Sequence, residues 1–314
     1  MSNKFKNFFD KEIRAKYLVS ILALLCISSI LFFCMLIKVG EKTEKKQFVK
    51  NTAFDAFQEI NLTAQSAIVW DVLNQRELFS KNPDKPLPLA SLTKILTAIV
   101  TKEKINDNQK IIITKEYLKP EGDSGLVVDD IWQARELRDF TLLTSSNDGA
   151  FALATLIGSK NSNTNPEVQF VKYMNDTATK IGLVNSRFFN EHGLDKKEDM
   201  SGAYGSARDM TILFEHTLKN YPEILEVTRY KKLDFVSNEK TYSATNTNNY
   251  VDQIPGIIAS KTGYTDLAGG NLIIAFDVGL GHPVIISVLG STEEGRFTDV
   301  LQLIDATLKQ IPNL

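Results

Sequence analysis

Residues 17 to 37, from Tyr17 to Ile37, form a run of 21 without one charged side chain, and this run restricts the chain more than any other stretch. As a helix it would be about 30 Å long, the thickness of a bilayer's hydrocarbon core. A helix buried in a globular core would normally keep a polar face over six turns, and this one has none. A cleaved signal peptide is the competing reading. The run exceeds the usual apolar region of about 7–15 residues, and no Ala-x-Ala-like site follows, which favours a retained single-pass anchor. Lys4, Lys6, Lys11, Arg14 and Lys16 precede the run, while Lys38, Lys42, Lys45, Lys46 and Lys50 follow it. Charge therefore does not set the orientation. The expected organisation is a cytoplasmic N-terminus over residues 1–16, a transmembrane anchor over 17–37, a lysine-rich juxtamembrane linker over 38–63 and a globular domain over 64–314.

That domain has the material for a core, since 43% of the 314 residues are hydrophobic. The whole chain's 36 basic and 38 acidic residues leave a net charge of −2, which gives no case for nucleic acid as a partner. Cys26 and Cys34 are the only cysteines, and both lie in the apolar run. No disulfide framework or thiolate metal site is available to the rest of the chain.

The pattern beyond the linker is strand, then helix, then strand. Ser66 to Val72 and Glu77 to Ser80 read as strands joined by the turn Leu73-Asn74-Gln75-Arg76. Leu92, Ile95, Leu96, Ile99 and Val100 have the spacing of a helix with one buried stripe. Further helices are predicted near Gln133–Leu143, Asp148–Ile157, Glu167–Ile181 and Ser206–Lys219. Strands return at Ile257–Thr262, Leu272–Val278 and Val284–Leu289, and a last helix runs from about Arg296 to Gln310. Strands at both ends with helices between them imply one α/β domain, with a mostly antiparallel sheet flanked by helices and an inserted helical lobe.

Several chemistries lack their sequence support. His192, His216 and His282 have no metal-ligand spacing, and no metal or cofactor is expected. There is no Gly-x-Ser-x-Gly elbow, no Walker loop and no dinucleotide fingerprint. Three short motifs remain. Ser91-Leu92-Thr93-Lys94 opens the striped helix, and the two polar side chains share an edge of the stripe, roughly 60° apart. Ser91 as a plain N-cap is the competing reading. A lysine in the first helical turn, facing the positive end of the dipole, argues against it. Beside a buried stripe that amine should lose affinity for its proton and can act as a base toward the hydroxyl. Ser237-Asn238-Glu239-Lys240 has the same spacing but lies in a polar stretch without helical period.

Ser145-Ser146-Asn147 falls between two predicted helices, where a serine can relay a proton and an asparagine can hold a peptide group. Ser159-Lys160-Asn161 matches equally well, and a capped helix-helix turn explains either. Lys261-Thr262-Gly263, followed by Tyr264 and Thr265, ends a predicted strand. A lysine and a threonine there offer a charge and a hydroxyl to a terminal carboxylate, and Gly263 permits close approach of a ligand backbone.

Taken in order, Ala90-Ser91-Leu92-Thr93-Lys94, Ser145-Ser146-Asn147-Asp148, Phe189-Asn190-Glu191-His192-Gly193-Leu194-Asp195 and Lys261-Thr262-Gly263-Tyr264-Thr265 with Ala268-Gly269 resemble the D-alanyl-D-alanine carboxypeptidases, the low-mass penicillin-binding proteins. The resemblance covers roughly residues 65–290. It implies a β-lactamase/transpeptidase-like fold, a substrate in peptidoglycan stem peptides ending in D-Ala-D-Ala, and β-lactam antibiotics as covalent inhibitors. It also implies Ser91 as nucleophile, Lys94 as its base and Ser145 as a proton relay to the leaving D-alanine. Asn147 would hold the substrate amide, Lys261 and Thr262 the terminal carboxylate, and the backbone N–H groups of Ser91 and Tyr264 the oxyanion. Such a substrate would put the catalytic domain outside the cytoplasm.

Two departures stand out. The chain reads Ala268-Gly269-Gly270-Asn271 where many relatives carry an aromatic or cysteine-containing stretch, and it ends soon after its last helix where many relatives add a β domain and an amphipathic anchor. A class A β-lactamase is the nearest enzyme alternative, but its Glu-x-x-Leu-Asn segment is missing between Asn147 and Lys261, and Glu191 belongs to the carboxypeptidase-like turn. A D,D-endopeptidase would use the same apparatus. An inactive cell-wall binding protein would not need Ser91, Lys94, Ser145, Asn147 and Lys261 together.

Overall fold

The computed structural model describes residues 55–160, 164–279 and 281–311, together with Ser28. The expected anchor over 17–37, Ser28 apart, lies outside the described residues. Among those described, no helix is long and apolar enough to cross a membrane. The chain divides into Met1–Ala53 and Phe54–Leu314, and the second unit carries the sheet, its helices and every motif singled out above.

Five strands build its sheet: β1 (Ser66–Asp71), β2 (Arg76–Lys81), β3 (Ile257–Thr265), β4 (Gly269–Asp277) and β5 (Pro283–Ser291). They lie in the order β3-β4-β5-β1-β2, and every neighbouring pair is antiparallel. The first and last strands of the sheet pair, β1 with β5, with Val69 opposite Ile286. β4 and β5, in the middle of the sheet, read as nearly continuous apolar runs because both faces are covered. Side chains alternate between faces, so Ile273 and Ala275 enter one apolar cluster while Leu272, Ile274 and Phe276 enter the other. β3 lies at an edge of the sheet, where the Ser260 amide already donates to Thr228 Oγ1 at 3.0 Å.

Helices α1 (Thr93–Lys104), α2 (Ala134–Thr144), α3 (Asn147–Gly158), α4 (Pro166–Ile181), α5 (Ala207–Asn220) and α6 (Pro222–Glu226) form the inserted lobe, and α7 (Gly295–Gln310) covers the opposite face. Their limits follow from local chemistry. The Ser146 hydroxyl accepts a hydrogen bond from the Gly149 amide and caps α3, Asn165 does the same for Val168 at the start of α4, and Ser206 for Asp209 in α5. Gly182, at φ +92°, ends α4. All five longer helices of the sequence reading and its last helix are present; the limits it gave differ by no more than one residue, and α1 continues to Lys104, four residues beyond the last residue of its stripe, Val100.

The sequence reading did not contain the hairpin of Lys232–Val236 with Thr241–Thr245, or the short pair Lys110–Ile112 with Ile131–Gln133. Each pair is too short or too polar to show a period. The start of the folded body also differs. Residues 55–63, assigned above to the linker, pack on the sheet: Phe57 stacks on Phe79 with ring centroids 5.4 Å apart, and the Thr63 and Ala64 amides both donate to the Asp299 carboxylate at 2.9 Å.

Candidate active site

Ser91 sits in a single 3-10 turn, Ala90–Leu92, immediately before α1. Its hydroxyl caps nothing: Leu92 holds the N-cap position of α1, with no side-chain cap bond. The turn is tighter than the α-helix expected from the sequence, and at three residues per turn the side chains of residues i and i+3 eclipse. Ser91 and Lys94 therefore meet more directly than the helical reading implied. Ala90 pays for this with φ +47°, a left-handed conformation that costs a non-glycine residue about 1–3 kcal/mol.

Lys94 is buried at 1% exposure, and its Nζ lies 2.8 Å from Ser91 Oγ, 2.7 Å from Asn147 Oδ1 and 2.7 Å from the His192 carbonyl oxygen. Two of these partners, an amide oxygen and a carbonyl, can only accept. A neutral amine would give them its two N–H bonds and turn its lone pair toward the Ser91 hydroxyl. Burial pushes the Lys94 pKa down from 10.5 to about 7, with the negative charge of Glu191 opposing the fall. The free base is thus populated at neutral pH.

A second pair faces it. Ser145 ends α2 at φ +60°, again left-handed, which turns the chain sharply before α3. Its Oγ accepts from Lys261 Nζ at 2.9 Å, and the same amine donates to the Thr262 carbonyl oxygen at 2.9 Å. Lys261 is fully buried on β3. Burial lowers its pKa well below the ordinary lysine value, and the charges of Lys94 and Arg296 push it further down. Thr262 Oγ1 shares a hydrogen bond of 2.5 Å with Thr247 Oγ1, and the Thr247 amide donates to the Leu143 carbonyl at 3.3 Å, tying β3 to the end of α2.

The remaining expected residues have mixed positions. Gly263 has a different neighbour from the ligand backbone anticipated above: a Cβ there would stand 2.9 Å from the Leu89 carbonyl oxygen and 3.0 Å from the Ser91 amide nitrogen. The absent side chain lets edge strand β3 lie against the turn that carries Ser91, and Arg296 Nη1 holds the Gly263 carbonyl at 2.9 Å. Tyr264 is 45% exposed. Thr265 Oγ1 donates to Asp195 at 3.1 Å and accepts from the Ala268 amide, so it also braces the turn after β3. A cleft of about 410 Å³ opens here, lined by Glu121, Asn147, Leu194, Asp195, Tyr264 and Thr265 among others. Asn147 Nδ2 donates to the Glu121 carbonyl oxygen at 2.6 Å, which fixes the amide with its oxygen toward Lys94.

The competing motif copies do other work. The Ser237 hydroxyl accepts from the Glu239 and Lys240 amides in a hairpin turn, and Ser159 Oγ donates to the Thr155 carbonyl at the end of α3. Sequence reasoning missed Thr247, Arg296 and the carbonyls of His192 and Glu121. Backbone oxygens carry no signature in a sequence, and Thr247 in Asn246-Thr247-Asn248 looks like any polar loop.

Residues 51–293 match the sequence profile of the D-alanyl-D-alanine carboxypeptidases. The chain belongs to this family. Similar members include the D-alanyl-D-alanine carboxypeptidase DacF of Bacillus subtilis, 29% identical over 292 residues, a match covering 90% of this chain and 71% of that protein. A D-alanyl-D-alanine endopeptidase of Haemophilus influenzae is 31% identical over 214 residues, covering 67% of this chain and 69% of the relative. Across four curated carboxypeptidase relatives, the matched share of the relative runs from 61% to 77%. Among solved structures, penicillin-binding protein D2 of Listeria monocytogenes in its cefotaxime-bound form superposes with a TM-score of 0.68 at 27% identity, over 79% of this chain and 98% of that one.

Proposed function

We propose that the chain is a serine-type D-Ala-D-Ala carboxypeptidase that trims peptidoglycan stem peptides through an acyl-enzyme on Ser91. The observation that carries this reading is the Lys94 amine, buried and bonded to Ser91 Oγ at 2.8 Å while two acceptor-only oxygens occupy its hydrogens. In acylation the Ser91 O–H bond breaks, its proton passes to Lys94 Nζ, and Oγ attacks the carbonyl of the penultimate D-alanine. The oxyanion would be held by the Ser91 and Tyr264 amides. Ser145 would deliver a proton to the departing D-alanine amine, with Lys261 beside it to restore that proton. Asn147 would hold the peptide amide, and Lys261 with Thr262 the terminal carboxylate, with the stem peptide lying extended along the edge of β3. A β-lactam would enter the same path and remain attached to Ser91.

The substrate argues for a catalytic domain outside the cytoplasm, and the uncharged run over residues 17–37 supports a single-pass membrane anchor for it. A D,D-endopeptidase is the second reading, favoured by the 31% identity to an enzyme of that name.

The test is labelling of the protein with a fluorescent penicillin, followed by release of D-alanine from a stem pentapeptide. The wild type should label and retain the label for minutes, and Ser91→Ala should not label. Failure of the wild type to label would remove the proposal and leave an inactive wall-binding protein. Loss of label within seconds would indicate a β-lactamase, and release of cross-linked dimers without D-alanine an endopeptidase.

A further inference from the structure

The turn from Asn190 to Leu194 is pressed against the nucleophile's turn. Gly193 holds φ +87°, and a Cβ on it would fall 1.9 Å from the Ala90 carbonyl oxygen. Asn190 closes the turn, accepting from the Gly193 amide at 2.7 Å and donating to the Leu194 carbonyl at 2.8 Å. Its backbone serves α1 directly: the His192 carbonyl accepts from Lys94 Nζ and the Glu191 carbonyl from Thr97 Oγ1 at 2.6 Å. The Glu191 side chain is buried with them, at 2% exposure, where a carboxylate is costly without a cation or several N–H donors.

His192 is not that cation. Its Nδ1 accepts from the Leu194 amide at 3.1 Å, which puts the ring proton on Nε2, 3.4 Å from Glu191 Oε1. Burial and the charge of Lys94 hold the imidazole neutral, with its pKa pushed down to about 3. The charged groups acting on Glu191 are Lys94 on α1 and Lys196 after the turn, which attract, and Glu167 on α4, which repels. Burial raises the Glu191 pKa to about 7, with Lys94 and Lys196 drawing it back down.

We infer that Glu191 is a positioning residue for acylation: a buried carboxyl, fixed on the turn that gives its carbonyl to Lys94 Nζ, which stabilises the ammonium formed when Lys94 takes the Ser91 proton. The inference rests on the reading of Ser91 and Lys94 given above. Glu191 exchanges no atom in the step. Its field strengthens the base, and the hydrogen bonds of the turn set where that base points.

The experiment measures the rate of acylation by a fluorescent penicillin from about pH 5 to about pH 10, in the wild type, Ser91→Ala, Glu191→Gln and Glu191→Asp. In Glu191→Gln the acid limb should move about one pH unit lower, so the rate at low pH rises several-fold relative to that variant's own plateau while the plateau falls. Glu191→Asp should bring the limb back toward the wild type. A Glu191→Gln rate lowered by one constant factor at every pH would mean a structural role only and would overturn the inference. If Glu191→Gln does not fold, the wild type gives a second measurement: the carbon-13 signal of the Glu191 carboxyl should titrate across the acylation limb, and a signal flat across it overturns the idea. A wild type that does not label removes the reading beneath and this inference with it, whereas labelling with an unmoved limb removes this inference alone.

Discussion

Lys94 and Lys261 are both buried amines bonded to a serine hydroxyl, at 2.8 Å and 2.9 Å, yet they differ in the charges around them. Lys94 has the negative charge of Glu191 acting on it. Lys261 has cations as its charged neighbours, Lys94 and Arg296, and its hydrogen bonds go to Ser145 and the Thr262 carbonyl. A buried amine with a nearby anion keeps useful basicity near neutral pH. One among cations is unstable as an ammonium until an anion arrives. On the proposed reading, the same residue type would serve as a base beside Ser91 and as a carboxylate receiver beside Ser145.

The largest expected effect comes from removing the proposed base. Lys94→Met should slow acylation by about 10³-fold while raising stability, because it deletes a buried amine. The sign follows from the pKa of Lys94, about 7 when folded against 10.5 for an ordinary lysine. Between these values the unfolded chain binds the extra proton, so wild-type stability falls as pH drops from 10.5 to 7. Denaturation at a series of pH values should show Lys94→Met gaining on the wild type across that window, with the gain levelling off below about pH 7. A constant difference would mean that Lys94 is not the group that titrates there.

A smaller effect should follow at the other lysine. Lys261→Ala should reduce kcat/KM about 100-fold for a peptide with a free terminal carboxylate, the loss of a charge-assisted hydrogen bond worth roughly 3 kcal/mol. For the same peptide with an amidated end the loss should stay under about tenfold, reflecting only the Ser145 contact. Equal losses on both substrates would erase the contrast between the two lysines.

The contrast was only partly legible in the sequence. Leu272 to Phe276 announced a strand, and the stripe from Leu92 to Val100 announced α1, because burial on regular elements leaves a period. Ser91, Lys94, Ser145, Asn147 and Lys261 could be picked out as motifs, and the structure brings them together in two hydrogen-bonded groups. The tight turn under Ser91 could not be read, since an alanine at φ +47° gives no sign of it. Nor could the partner of Gly263, which is backbone from the distant segment Leu89 to Ser91. Glu191 was visible only as a glutamate unsuited to a β-lactamase. Its importance depends on which way the turn faces, and that is settled by Gly193 meeting Ala90 rather than by any local pattern.

Thr247 gives the finest test of the receiving wall. Its hydroxyl shares a hydrogen bond of 2.5 Å with Thr262 Oγ1, while its amide is engaged with Leu143 and Asn246 reaches back to the Thr228 and Tyr230 carbonyls. The loop is therefore held by its backbone and by Asn246, and the Thr247 hydroxyl is left to orient Thr262, which on the proposed reading would meet the incoming carboxylate. Thr247→Val keeps the volume and the backbone bonds but removes that partner. A single neutral hydrogen bond is worth about 1 kcal/mol, so kcat/KM for the free-acid peptide should fall about fivefold, the amidated peptide should be nearly unaffected, and Thr247→Ser should recover most of the loss. If Thr247→Val instead lowered both substrates alike, Thr262 would hold its direction without help, and selectivity for a carboxylate would belong to the Lys261 amine alone.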